Sequence, residues 1–257
     1  MRTLLPVAVG SSSLVLVGVG ALRIGWLPPA GAVFLTVAAA LLILAWLVAA
    51  SAWPRLEVYA PATCRGPAVK PRVALTFDDG PDPESTPALL AALDAAGARA
   101  TFFVLVDRAE QHPELLRAIA ERHEVALHGP SHDTRLVFAA PARGAADLIA
   151  GQDRIQALCG QRPRWYRPPF GVLSPRLGAA LARTELRLVW CSLRTGDGVG
   201  ASPQALREAC AVAMAGDILL LHEGPRAART ALPVILQDLR ALGLEPVTVG
   251  ALLESSE

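Results

Sequence analysis

The sequence predicts an α/β domain on a parallel sheet, either a barrel or an open sheet, preceded by a transmembrane helical hairpin. Three observations predict it. The first ~55 of the 257 residues carry only Arg2, Arg23 and Arg55 as charges, and set themselves apart from the rest. From Pro71 onward, short β-rich runs alternate with stretches of helical periodicity. Polar residues able to do chemistry fall at the ends of those runs, and the C-terminal strand ends are where α/β barrels carry their sites.

The apolar region comes first. Leu4 to Leu22 is broken only by Ser11-Ser12-Ser13 and several glycines, and Arg23 to Pro29 is a short polar turn with prolines. Ala30 to Trp53 is apolar again and uncharged. About 20 residues cross the hydrocarbon core, so both stretches are candidate spans. Trp26 and Trp53 flank the second, where interfacial aromatics belong. Residues 4–53 are therefore expected in a lipid bilayer. A cleaved signal peptide is the alternative for the first stretch, but its start has only Arg2 and no clear small-residue cleavage site follows. With two spans, Arg2, Arg55, Arg65, Lys70 and Arg72 share one face against Arg23, which the positive-inside rule places in the cytoplasm. With one span the face reverses, so it stays undecided. The expected organisation is an anchor over 1–55, a linker over 56–70 and a domain over 71–257.

The domain's elements follow in order. Val73–Phe77 reads as a buried strand, and Pro83–Ala96 as a helix with Leu89, Leu90 and Leu93 at helical spacing. Ala100–Val106 is a strand, and Pro113–Arg122 a helix opening on Pro and Glu. Glu124–Leu127 is a strand, and Ala145–Cys159 a helix stopped by Gly160. Trp165–Arg167 is a short strand, Pro175–Arg183 a helix, Leu186–Cys191 a strand and Pro203–Ala215 a helix. Asp217–His222 is a strongly apolar strand, Ala227–Leu242 a helix and Pro246–Val249 a last strand. That makes about seven strands.

Composition removes some functions. A formal net charge of +1 argues against nucleic-acid binding, which calls for a basic surplus or stripe. Cys64, Cys159, Cys191 and Cys210 are widely spaced with no C-x-x-C, so neither a zinc ribbon nor a thioredoxin motif is present. Buried free thiols are the favoured reading, since a domain of ~190 residues needs no staples.

The chemistry concentrates in four places. Asp78-Asp79 ends the first strand. Asp-Gly-Pro-Asp-Pro is good turn sequence, so a simple turn is the competing reading. Two adjacent carboxylates repel unless a cation divides their duties, one binding metal and one staying free as a base. His128 and His132 are four apart, which puts them on one face only if the segment is helical. Arg167-Pro168-Pro169-Phe170 holds a rigid guanidinium suited to gripping a carboxylate, or else makes a solvated surface turn. His222 closes Ile218-Leu219-Leu220-Leu221. It is either a satisfied rim histidine or a general acid whose pKa a carboxylate such as Asp197 raises. His112 and His123 read as ordinary surface residues.

Together these motifs resemble the polysaccharide deacetylase family, also called the NodB-homology family or carbohydrate esterase family 4. The resemblance runs from Val73 to about Leu253. It rests on Thr76–Asp82 (TFDDGPD), His128–His132, Arg167–Phe170 (RPPF), the Asp197 loop and Leu219–His222 (LLLH), in family order. It implies a distorted (β/α) barrel and metal-dependent removal of N-acetyl groups from amino sugars; the apolar hairpin adds the expectation of a cell-envelope glycan or lipid-linked saccharide, at the bacterial cytoplasmic membrane. By resemblance, Asp78 is the base and Asp79, His128 and His132 are the metal ligands. Arg167 orients the base, His222 is the acid and Asp197 its support, while Pro169 and Phe170 meet the substrate. Such a ligand set suits zinc, and also cobalt, manganese or nickel. There are departures: Gly129 replaces a usual Ser or Thr, Phe170 a common Tyr, Arg194 an acidic residue, and Gly198 a frequent Trp. A deformylase, an O-acetyl esterase and an inactive glycan-binding barrel are the alternatives.

Overall fold

The computed structural model describes residues 29–254. The first apolar stretch, Arg2, Arg23 and Trp26 lie outside the described residues. The second stretch is helix α1 (Pro29–Ala52), of which Val33–Ala52 is long and apolar enough to cross a membrane. Most of its described side chains are exposed.

The domain is one nine-stranded sheet in which every pairing is parallel. Its strands are β1 (Ala62–Thr63), β2 (Arg72–Gly80), β3 (Thr101–Leu105), β4 (Glu124–Gly129), β5 (Trp165–Tyr166), β6 (Arg187–Val189), β7 (Leu193–Arg194), β8 (Ile218–His222) and β9 (Glu245–Val247). The order is β1-β6-β5-β4-β3-β2-β8-β7, with β9 paired to the start of β2. The seven expected strands are all present. The two additional ones, β1 and β7, are two residues long and form the sheet's edges, too short to show periodicity.

Between the strands lie α2 (Thr86–Ala96), α3 (Val106–Gln111), α4 (Pro113–Arg122), α5 (Arg135–Phe138), α6 (Pro141–Cys159), α7 (Pro175–Leu181), α8 (Pro203–Cys210), α9 (Arg226–Ala241) and α10 (Val249–Leu253). Prolines open α4, α6, α7 and α8 at their first turns, where the missing N–H costs nothing.

Period-two alternation sorts the strand residues into two layers. Val73, Leu75 and Phe77 of β2 join Phe102, Val104, Val125, Leu127, Tyr166, Leu219 and Leu221 in the core under the helices. The other parity, Ala74, Phe103, Ala126, Trp165, Val189 and Ile218, forms a smaller inner core that α10 plugs with Val249 and Leu252. Asp78, His128, Arg167 and His222 share this inner parity. Each is therefore aimed into the barrel by its strand.

The sheet path stays open between β1 and β7, and the chain following α1 spans the gap. Arg55 Nη2 donates to the carbonyls of Cys191 and Ser192 at 3.1 and 2.7 Å. Thr63 O accepts from Trp190 N at 2.8 Å, and Gly66 N donates to Gly216 O at 2.8 Å. Much of the stretch expected as linker is thus packed on the domain, and it supplies β1.

His123, read from sequence as a surface residue, is instead buried at 4 % exposure, its ring edge-on to Phe102. Burial pushes its pKa down to about 4, with Asp94 opposing the shift and Arg99 and Arg122 adding to it. The four cysteines are free thiols, Cys191 and Cys210 buried and the others half-buried.

Candidate active site

A β-bulge opens the site. Asp78 pairs with Phe103 and Gly80 with Val104, which leaves Asp79 as the extra residue, at φ 73°. Regular alternation would turn Asp79 away from Asp78. The bulge and its left-handed backbone re-aim it, so both carboxylates face the same cavity. A bulge in β4 likewise separates Leu127 from Gly129 at His128.

Three side chains converge on one point. His128 Nε2 and His132 Nε2 stand 3.2 and 3.3 Å from Asp79 Oδ1. His128 donates Nδ1–H to Arg167 O at 2.8 Å, which leaves its Nε2 lone pair facing Asp79. Asp79 Oδ1 is buried and receives no hydrogen bond. One donor atom from each residue lies within 4.8 Å of the others. Lone pairs gathered around an orphaned carboxylate oxygen repel one another without a cation, so the residues fit a divalent metal. Burial raises the Asp79 pKa, but its contact with His128 and the charge of the surrounding histidines outweigh it, and the net shift is downward.

Asp78 is paired differently. Its Oδ1 accepts from Arg167 Nη1 at 2.6 Å, and both side chains are almost wholly buried. Arg167 also donates to Thr76 Oγ1 at 2.9 Å and to the carbonyls of Val189 and Trp190 at 3.3 Å each, with its guanidinium 4.1 Å above the Phe103 ring. These contacts hold the guanidinium in place, so it serves as a fixed clamp for one carboxylate.

Across the cavity, His222 Nδ1–H donates to Asp197 Oδ1 at 2.8 Å, and its backbone N–H donates to Oδ2 at 2.7 Å. Thr195 Oγ1 and Gly198 N–H, each at 2.9 Å, complete the shell around Asp197 Oδ1. Burial lowers the His222 pKa, but the Asp197 hydrogen bond and the charges of Asp78, Asp197 and Asp79 more than offset it, and the net shift is upward. The protonated imidazole is thereby favoured.

Asp78, Asp79, His128, His132, Phe170 and His222 line one cavity of about 470 Å³. Arg167 and Asp197 stand behind it. Phe170 lies at the mouth, its ring 4.3 Å from His132, while Pro169 is buried beneath and packs toward Gly129. The structure thus brings the expected set together. It adds residues that motif reading passed over. Arg108 Nη1 holds the Asp79 carbonyl at 2.7 Å, and Glu223 N–H holds the Asp78 carbonyl at 2.8 Å. Glu223 is fully buried, its carboxyl taking a hydrogen bond from Thr86 and its pKa pushed up to about 8, first by burial. Gly198 has a steric reason: a Cβ there would lie 2.8 Å from His222 Cε1. Sequence pattern marked neither Arg108 nor Glu223, because each is tied to the Asp78–Asp79 backbone from a distant part of the chain.

Residues 65–189 match the polysaccharide deacetylase family's sequence profile. The chain is 32% identical over 199 residues to a peptidoglycan-N-acetylglucosamine deacetylase of Bacillus cereus, covering 75% of this chain and 72% of that one. The chain belongs to the polysaccharide deacetylase family. With membership comes the enzyme class, a carbohydrate deacetylase that hydrolyses carbon–nitrogen bonds other than peptide bonds. A chitooligosaccharide deacetylase of a Bradyrhizobium strain is 37% identical over 157 residues, 59% of this deacetylase and 70% of that one. The solved Bc1960 peptidoglycan N-acetylglucosamine deacetylase superposes with a TM-score of 0.71 at 30% identity, over 79% of this chain and 96% of that one. The curled parallel sheet is thus the family's distorted (β/α) barrel.

Proposed function

We propose that this deacetylase removes N-acetyl groups from amino sugars of a bacterial envelope glycan or lipid-linked saccharide, with a divalent metal held by Asp79, His128 and His132. We further infer that α1 anchors it in the cytoplasmic membrane. The observation that carries the reading is the division of labour between adjacent carboxylates: Asp79 Oδ1 faces two imidazole nitrogens, while Asp78 is clamped by Arg167.

Zinc suits the donor set, and cobalt, manganese or nickel would also be accepted. When bound, such an ion supplies Lewis acidity to the acetamide carbonyl and lowers the pKa of water. The chain's own residues do the rest. Asp78, fixed by Arg167, accepts the proton of the attacking water. The backbone N–H of Phe170, in its left-handed turn at φ 58°, is the donor available for the developing oxyanion. His222, kept protonated by Asp197, gives its proton to the leaving amine. Acetate and a free amino sugar result. The Phe170 ring at the cavity mouth offers an apolar face for a sugar ring.

The test of this reading is to incubate the purified protein, in detergent and zinc, with N-acetylglucosamine oligomers and with formylated and O-acetylated counterparts. Acetate with an equal amount of free amine is the expected product. Formate alone, ester cleavage alone or no product would each reject the assignment.

A further inference from the structure

Phe170 at the cavity mouth is exposed, and Leu173 just beyond it is bonded to α1, the one described helix able to enter a membrane. Along α1 the large side chains stand free of the domain: Phe34 and Leu42 are each 71% exposed. Only the helix end is seated. Ala50 and Pro54 are buried, and Ser51 O accepts from Leu173 N at 2.9 Å. The helix is ~36 Å long at 1.5 Å per residue, and most of its described side chains are free of the domain.

The seat is at the cavity's rim. Leu173 follows the Phe170–Gly171 turn, and Cys191, gripped by Arg55, follows Trp190 of the cavity wall. Three exposed aromatics sit on the segments that meet at this seat: Trp53, two residues past Ser51, Phe170, three before Leu173, and Phe138, at 61%, 59% and 70%. Phe138 is tied to the seat: Ser174 Oγ donates to Val137 O at 2.6 Å, and Arg176 Nη1 donates to Phe138 O at 2.7 Å. Exposed aromatics on these joined segments, with the exposed Arg176 bonded to one of them, have the chemistry of an interfacial surface, aromatic for the acyl boundary and cationic for anionic headgroups. A protein partner would have to find this rim by diffusion, whereas α1 delivers the bilayer to it at high effective concentration.

Resting on the anchored-deacetylase reading above, we propose that this rim lies on the bilayer with Trp53 and Phe138 at headgroup depth. The cavity then opens at headgroup level and takes N-acetyl amino sugars displayed on the membrane by a lipid.

The test uses the full-length protein in phosphatidylcholine–phosphatidylglycerol vesicles. One substrate is a soluble N-acetylglucosamine tetramer, and the other is the same tetramer coupled to phosphatidylethanolamine in those vesicles. Wild type should deacetylate the tethered sugar at least about tenfold faster at equal bulk sugar. Phe138→Ser should lower turnover of the tethered sugar by about tenfold, the scale of withdrawing one phenyl group, and that of the soluble sugar by less than about twofold. Phe138→Trp should restore the difference, and Leu242→Ser, past the C-terminal end of α9, should change neither rate. Equal losses on both sugars, or no loss on either, would overturn the docking proposal alone. Absence of acetate from both sugars in wild type, or release of the protein by alkaline carbonate, would overturn it together with the reading it rests on.

Discussion

Replacing Arg167 by Met strikes stability and chemistry together, and its cost follows from the contacts. Arg167 is fully buried, and its nearest partner, the Asp78 carboxylate, is 3% exposed. Met fills the space of the stem but leaves that carboxylate in the barrel without a counter-charge. Breaking one half of a buried ion pair costs about 3–5 kcal/mol. The carbonyls of Val189 and Trp190 and the Thr76 hydroxyl lose a donor as well. In a domain of this size each kcal/mol moves the midpoint by about 2–4 °C, so thermal unfolding followed by near-ultraviolet circular dichroism in detergent should shift down by about 6–20 °C. Adding Asp78→Leu to Arg167→Met should recover much of the loss, because a buried pair replaced on both sides by apolar groups is often close to neutral. The reasoning is refuted if Arg167→Met stays within about 1 kcal/mol of wild type, or if the double variant is no more stable than the single.

Other expectations concern the remaining parts of the site. The folded-state pKa of His222 is raised, so its protonated form and the stability it contributes persist at low pH and are lost as pH rises through that value. Asp197→Asn removes the charge that helps raise it: the alkaline limb of kcat/KM should move to lower pH, and an unmoved limb would exclude Asp197 as the support. Gly80→Ala would set a Cβ 1.5 Å from Glu223 Oε1, and since Glu223 N–H holds the Asp78 carbonyl, unfolding should be easier by about 1–3 kcal/mol and activity should fall. Glu223→Ala in the same chain should relieve part of the strain, and additivity would count against it. Chelation should abolish acetate release and zinc should restore it, while His132→Ala should weaken zinc binding in calorimetry by at least about 100-fold. Wild-type zinc affinity in that variant would remove His132 from the ligand set.

Much of the fold was legible because the strand runs are long and apolar, and alternation within them fixes direction. Thr76 and Asp78 share the parity of Ala74, and His222 that of Ile218 and Leu220. Those side chains could be aimed inward from sequence alone. Asp79 could not, since its direction depends on a bulge that alternation does not announce. The edge strands β1 and β7 were invisible for another reason: two residues carry no period. The seam from Arg55 to Gly66 was hidden because its bonds reach residues more than a hundred positions away. Local pattern likewise gave no reason to bury His123, whose place is set by Phe102 from a neighbouring strand. Gly198 stood out in the sequence as a departure from a frequent Trp. In the structure it is the condition for His222 to lie flat against the loop.

The most direct measurement compares acetate released from an N-acetylglucosamine oligomer by the purified full-length protein and by its Asp78→Asn and His222→Ala variants, in zinc. Each substitution removes a proton carrier and leaves Asp79, His128 and His132 in place. Wild type should release acetate and free amine in equal amounts, and each variant should be slower by about 10²–10⁴-fold with zinc still bound. Variants that release acetate at the wild-type rate would contradict the division of roles between Asp78 and Asp79.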